Sequence, residues 1–220
     1  KLMTLDKAVP YAQSEKAKRG ERLHALMEKC LRHGWDSVKW DDTLSYDHAR
    51  KFYTIIMRLV DDGWVPHIED SVATDATGHA CEFWDRAPAN LLRCRIDLWL
   101  DRSDTDTVMV FDHKTGKRYA SDKIQLQVNA ACLRPVTGKD HYVVSFDYLD
   151  NGELATTRLD ISGLDLTARS TNAIKASTCA ELLVALRGAE RAIERGDFPP
   201  CRNRFCDWCD CKPMCPLHKS

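Results

Sequence analysis

In the first third of the chain, apolar positions recur with a helical period. Within SEKAKRGERLHALMEKCLR, residues 14 to 32, Leu23, Leu26, Met27, Cys30 and Leu31 fall on one helical stripe, so a helix is predicted there. Residues 45 to 62 predict a second helix, with Ser45 placed to cap it. From residue 91 onward the period changes. LLRCRIDLWLD and TVMVFDHKT are β-rich runs joined by the polar turn SDTD, which predicts a hairpin. Residues 121 to 133 return to a helical pattern, capped by Ser121 or Asp122. HYVVSFDYLDNGELATTRLDI then predicts a second hairpin, turning at Asp150, Asn151 and Gly152. Residues 163 to 195 read as mostly helical and stop near Gly196. This order predicts an α/β fold, a mixed central β-sheet flanked by helices.

At 220 residues the chain is long enough to bury a sizeable core, and it shows no internal repeat or linker. One domain over residues 1–198 is expected, with a cysteine-rich tail, 199–220, packed on it. Lys plus Arg, 32, nearly balances Asp plus Glu, 33, so a nucleic-acid partner would have to be held by a local groove rather than a global positive field. The length and the lack of a signal peptide or long apolar run argue against a membrane and for a reducing, cytoplasmic setting. There the ten cysteines are expected as core filler, metal ligands or redox groups. Cys30, Cys81, Cys94, Cys132 and Cys179 are scattered among apolar residues and read as small buried hydrophobes. The other five crowd into CRNRFCDWCDCKPMCPLHKS.

One apolar run carries unusual chemistry at its end. Val108 to Phe111 read as a buried strand, yet Asp112, His113 and Lys114 follow directly. Side chains two apart on a strand share a face, so Asp112 and Lys114 point one way and His113 the other. On the partner strand, Asp97 interrupts the apolar run RCRIDLWLD. Two carboxylates converging from adjacent strands suit Mg²⁺ or Mn²⁺, and a nearby ammonium can hold or polarise an attacking water. Alone, an acid and a lysine at a strand end are ordinarily solvated turn residues, and Asp97 alone an edge carboxylate. The combination of Asp97, a hairpin's separation, Asp112, Lys114 and the turn formers Thr115 and Gly116 is far rarer than its parts. It is the equipment of phosphodiester cleavage.

Asp97 followed by Asp112-His113-Lys114 resembles the PD-(D/E)XK nuclease superfamily, with its restriction-endonuclease-like core, and VFDHKTGK is similar to the RecB-like branch. GERLHALMEK resembles that branch's N-terminal helix motif, a Gly followed four residues on by a His, here Gly20 and His24. SDKIQLQVNAA resembles the helix after the active-site hairpin, whose Gln is here Gln125. The resemblance implies Asp97 and Asp112 as ligands of Mg²⁺ or Mn²⁺, Lys114 as the residue that positions water or stabilises charge, and His24 as a further ligand or phosphate contact. Gln125 would orient the site. A Tyr often found four residues after the Gln is replaced by Asn129, which puts that Tyr's substrate contact in doubt. The earlier Glu of the family is Glu69 or Glu82; Glu69 is preferred because IEDSV reads as the start of a strand.

The branch implies an exonuclease acting on single-stranded DNA or duplex ends, in recombination or repair in a bacterial or phage-infected cell. A recombination or replication protein is a possible partner. Lys117, Arg118 and Lys123 would help hold the DNA; singly, such residues are more often a solvated face.

In the tail, Cys206-x2-Cys209-x5-Cys215 has the close spacing that lets one ion or cluster collect three thiolates. It is similar to the iron–sulfur staple of several RecB-like nucleases, including CRISPR-associated ones, which implies a 4Fe–4S cluster. In that staple the fourth thiolate precedes the Gly-His helix, and here no cysteine precedes Cys30. Either an upstream cysteine is missing from a chain that begins at Lys1, or Cys201 closes the site, with Cys211 and His218 in reserve. Zinc or an empty, reduced tail are the alternatives. A non-catalytic module, stabilised by zinc or a cluster and binding nucleic acid or protein, is the competing functional reading.

Overall fold

Four positions of the first helix decide how it docks. In the computed structural model, which describes residues 15–84, 91–116 and 122–196, helix α1 (Glu15–His33) buries Gly20, Leu23, Met27 and Cys30 along one stripe. Helix α2 (Tyr46–Asp61) buries Ala49, Phe52 and Ile56 in the same manner. Ser45 stands at the N-cap of α2, but its hydroxyl makes no capping bond. Its backbone N–H and its hydroxyl both donate to Asp42 Oδ1 instead, at 3.1 and 3.0 Å. The expected capping residue is itself tied down by the carboxylate three residues earlier.

Five strands form one sheet in the order β1 (Val65–Thr74), β2 (Leu92–Asp101), β3 (Thr107–Lys114), β4 (His141–Tyr148) and β5 (Glu153–Asp160). Both predicted hairpins are present, β2 with β3 and β4 with β5. Strands β3 and β4 are parallel, so the chain must cross over between them, and helix α3 (Asp122–Thr137) makes the crossing. The sheet is therefore mixed, as expected. Its first strand extends well beyond the IEDSV start read from the sequence, because Pro66 and several polar positions are tolerated on an edge strand.

Helix α3 continues past residue 133 to Thr137 and takes Pro135 into its last turns. The segment predicted as mostly helical from 163 resolves into a short α4 (Thr171–Ala176) and a longer α5 (Ala180–Arg195). Gly196 ends α5 in the left-handed conformation, with φ 61°, which glycine adopts without a Cβ penalty.

Alternating side chains of the sheet enter two cores. Val108 and Val110 join Trp99, Tyr142 and Val144 beneath Leu126, Ala130 and Leu133 of α3 and Leu182 and Leu183 of α5. Phe111, with Leu98 and Leu100, meets Leu23, Met27, Phe52 and Ile56 of α1 and α2. Cys30, Cys132 and Cys179 are buried as expected, whereas Cys81 and Cys94 are half-buried. Among the described residues no helix is long and apolar enough to cross a membrane.

One irregularity of the sheet places the site. Strands β2 and β3 pair only from Leu98 opposite Phe111 to Leu100 opposite Met109. The β3–β4 ladder runs on to Lys114 opposite Tyr148. The two strands thus part where Asp97 and Asp112 would have faced each other. Lys117, Arg118, Ser121 and the tail with Cys201, Cys206, Cys209 and Cys215 lie outside the described residues.

Candidate active site

A missing rung brings the first two carboxylates together. Along β1 and β2, Ile68 pairs with Leu98 and Asp70 with Ile96, but Glu69 and Asp97 between them do not pair. Glu69 has φ 53°, the only non-glycine residue with positive φ among those described. That conformation costs about 1 kcal/mol or more for a residue with a Cβ, and such departures cluster at functional sites. Helix α1 supplies a third group. Ligand atoms of His24, Glu69 and Asp97 all lie within 4.8 Å of one another.

Each of these groups is held. Arg95 Nε stands 2.8 Å from Glu69 Oε2. Asp97 Oδ1 is 3.4 Å from His24 Nδ1, and Asp97 Oδ2 accepts the backbone N–H of His113 at 2.7 Å. The Asp97 side chain thereby takes up an amide left free where β2 and β3 part.

The second part of the site comes from β3 and α3. Lys114 Nζ lies 2.5 Å from Asp112 Oδ2 and donates to Gln125 Oε1 at 2.9 Å. Gln125 Nε2 donates in turn to Asp112 Oδ1 at 2.5 Å, so the three side chains close a ring. Asp112 is nearly buried, and its Oδ2 has the Lys114 charge beside it but no aligned hydrogen bond.

The electrostatics follow from this crowding. Burial and the charge of Asp97 push the Glu69 carboxyl up. Burial also pushes Asp112 up, with Asp97 adding to it and Lys114 opposing. Asp97 is partly buried, which would raise it, but the His24 bond and the charges of His113 and His24 outweigh that and hold it below the ordinary carboxylate range. Negative charge crowded into one cleft and only partly offset by Arg95, His24 and Lys114 is what a divalent cation relieves. Two carboxylates and an imidazole fit Mg²⁺ or Mn²⁺, so the donor set suits the expected metal.

The expected ligand set was His24, Asp97 and Asp112, and the tight set is His24, Glu69 and Asp97. Asp112 belongs to the adjoining ring with Lys114 and Gln125. Glu69, preferred over Glu82, is the glutamate at the site, and Lys123 is exposed at the start of α3. Asn129 is buried on α3, one turn beyond Gln125, and neither polar atom of its amide has a partner among the described residues.

Gly20 explains its spacing from His24. A Cβ at Gly20 would stand 2.8 Å from Thr115 Oγ1, so α1 rests on the segment that follows Lys114 as closely as it does because position 20 has no side chain. The resulting cleft, about 430 Å³, is lined by Gly20, His24, Glu28, Glu69, Arg95 and Asp97. A larger hollow of about 910 Å³ lies at the opposite end of β3 and β4, around Thr107 and His141, and holds none of these groups.

His113 does point away from Asp112 and Lys114, but into a polar partnership. Its Nδ1 is 2.8 Å from Asp147 Oδ2, and His48 Nε2 bonds the other oxygen of the same carboxylate. Burial would lower the His113 pKa, yet the bond to Asp147 outweighs it and raises it. Burial would raise Asp147, and the two histidines hold it down. Asp147 and His48 were not among the expected site residues. A signal was present, since Asp147 interrupts the apolar run VVSFDY as Asp97 interrupts its own.

A family model of the PD-(D/E)XK nuclease superfamily matches residues 2–216. The chain belongs to that superfamily. Its mixed five-stranded sheet with flanking helices is the superfamily's restriction-endonuclease-like core, and membership supports a nuclease. No curated protein matches the sequence. Among solved structures, one titled as the crystal structure of SSO0001 aligns over 90% of this chain and 98% of its own, at 13% identity and a TM-score of 0.38. At that distance it bears on neither fold nor function.

Proposed function

We propose that this PD-(D/E)XK protein is a Mg²⁺- or Mn²⁺-dependent exonuclease of the RecB-like type, hydrolysing DNA at single-stranded or duplex ends in recombination or repair. The observation that carries the reading is the convergence of His24, Glu69 and Asp97 beside the Asp112–Lys114–Gln125 ring. His24, Glu69 and Asp97 would hold the ion, with Asp112 Oδ2 as a further oxygen donor. When bound, the metal supplies Lewis acidity and neutralises charge building on the scissile phosphate.

The chain's own residues do the rest. Gln125 fixes both Lys114 and Asp112, so the ammonium is aimed before substrate arrives. Lys114 can then hold the attacking water or meet the charged phosphate oxygens. Arg93 and Arg95 are exposed on the strand that carries Asp97, at two-residue spacing, and offer phosphate contacts leading to the site. Trp84 is exposed and packs edge-on to Phe83, with Arg93 over the Phe83 ring, a surface on which unpaired bases can stack. Lys117, Arg118 and Lys123 would add further cationic contacts to phosphate. We further infer that Cys206, Cys209 and Cys215, with Cys201, hold one structural 4Fe–4S cluster. Iron, sulfide and zinc content of protein purified without oxygen tests that occupant directly. The free cysteines suit a reducing cytoplasm.

The deciding experiment is cleavage of end-labelled single- and double-stranded DNA with Mg²⁺ or Mn²⁺, wild type beside Asp112→Ala and Lys114→Ala. Progressive shortening that requires metal and is lost in both variants is expected. No cleavage by folded wild type with either metal would overturn the reading in favour of a binding module.

A further inference from the structure

Asp147 is completely buried, and both of its oxygens are taken by imidazoles, His113 from β3 and His48 from α2. Burying a carboxylate costs several kcal/mol that its partners only partly return, so a packed apolar trio would hold these elements together at least as well. Stability alone gives this polar chain no purpose. Its place in the sheet gives it one. His113 and Asp147 are register partners on β3 and β4, at the level where β3 has lost its partner on the other side. There the backbone N–H of His113 leaves the ladder and donates to Asp97 Oδ2 at 2.7 Å. With no β2 ladder to orient it, that amide is fixed by what holds the His113 residue from the β4 side. His48 anchors the far end: its ring lies against the turn after β4, where a Cβ at Gly152 would stand 3.5 Å from His48 Nδ1.

We propose that Asp147 and His48 are positioning residues for the metal site, fixing through His113 the amide that aims the Asp97 carboxylate. The inference rests on the metal-binding reading above. Groups that orient a metal ligand through a hydrogen bond typically contribute about 10- to 100-fold in metal affinity or activity. The chain His48, Asp147, His113, Asp97 runs from α2 across β4 and β3 to β2, so helix α2 is tied to the Asp97 carboxylate.

The test is Mn²⁺ binding by titration calorimetry, with thermal unfolding of the metal-free protein measured alongside. Wild type is compared with Asp97→Asn, Asp147→Asn and His48→Gln. Expected are loss of Mn²⁺ binding in Asp97→Asn, an affinity about 10- to 100-fold lower in Asp147→Asn, and a smaller loss in the same direction in His48→Gln. The unfolding temperature of metal-free His48→Gln should stay near that of wild type, which a purely structural role for the chain would not allow together with weaker binding. If Asp147→Asn fails to fold, the half-buried His48→Gln decides. Wild-type affinity in the folded variants, with binding lost in Asp97→Asn, overturns this inference alone. No Mn²⁺ binding by wild type overturns the metal-site reading and this inference with it.

Discussion

Gly20 and Thr115 stand so close that a single methyl group on Gly20 would lie 2.8 Å from Thr115 Oγ1. Two effects of Gly20→Ala therefore oppose each other. Alanine gains about 1 kcal/mol of helix propensity over glycine. The new contact costs about 1–3 kcal/mol unless Thr115 moves, and Thr115 follows Lys114 by one residue. Gly20→Ala is expected to lower stability to urea or to leave it level while slowing cleavage. Thr115 Cβ would be 4.0 Å from the added methyl, an ordinary contact. In Gly20→Ala/Thr115→Ala the propensity gain should therefore emerge, and a double-mutant cycle should show a positive coupling of about 1 kcal/mol. Strict additivity would show that α1 does not rest on this residue.

Glu69 bears two costs in the metal-free protein. Its backbone is left-handed, and its carboxyl is pushed up by burial and by Asp97. A carboxylate whose folded pKa lies above its unfolded value destabilises the fold once the pH is high enough to ionise it. Glu69→Gln removes the charge, so the metal-free variant should melt above wild type at neutral pH. Glu69→Gly also removes the backbone strain, about 1 kcal/mol, offset by the greater freedom of glycine in the unfolded chain. Adding Mn²⁺ should raise the melting temperature of wild type and leave both variants nearly unmoved. A melting temperature for metal-free Glu69→Gln below wild type would mean that the Arg95 pair outweighs the repulsion.

The Asp97 and Asp112 signals were legible because a carboxylate inside an apolar run conflicts with burial and needs a reason. The same logic would have reached Asp147, but its partner His48 is far away in sequence and looks like any exposed helical histidine. Glu69 was harder to read: its role depends on a positive φ and a missing rung, and neither leaves a residue-type signature in IEDSV. Periodicity located α1 and α2 because each buries one face, and the hairpins stood out as β-rich runs joined by polar turns. It undercounted β1, whose edge position lets polar residues and Pro66 stand where a central strand would carry apolar ones.

Arg19 links three segments, bonding Asp42 through Nε at 2.6 Å and Nη2 at 3.0 Å, and Asp150 through Nη1 at 2.6 Å. Hydrogen bonds from Arg19, joined by those from the Ser45 hydroxyl and N–H, hold the Asp42 carboxyl down from 3.8 to about 2, against the opposing effect of burial. For a carboxylate with a depressed folded pKa, the contribution is present above the unfolded pKa and is lost as pH falls through the folded one. Here it should be complete above about pH 4 and should disappear toward pH 2, and it is on the order of 2 kcal/mol. Arg19→Gln should accordingly be less stable than wild type at pH 6 by the Arg19 share of that, about 1 kcal/mol or more, because the Ser45 bonds to Asp42 remain. The gap should close as denaturation is followed from pH 4 to pH 2. A gap that does not change across this range would mean that Asp150, rather than Asp42, carries the effect of Arg19.

Asn129 poses the opposite case, a polar group that the core holds without evident return. It is 1% exposed, and neither its amide oxygen nor its nitrogen has a hydrogen-bond partner among the described residues. A buried unsatisfied polar group costs about 1–3 kcal/mol, and replacing it by an apolar side chain of similar size removes that cost. Asn129→Leu is therefore expected to raise stability by about 1 kcal/mol or more, read from urea unfolding. The residue shares a helical face with Gln125, four positions earlier, so cleavage must be measured on the same preparation. If the amide has no part in the chemistry, the rate stays at the wild-type value while the midpoint rises. A stabilised protein that cleaves more slowly would instead show that Asn129 keeps its polarity for the substrate.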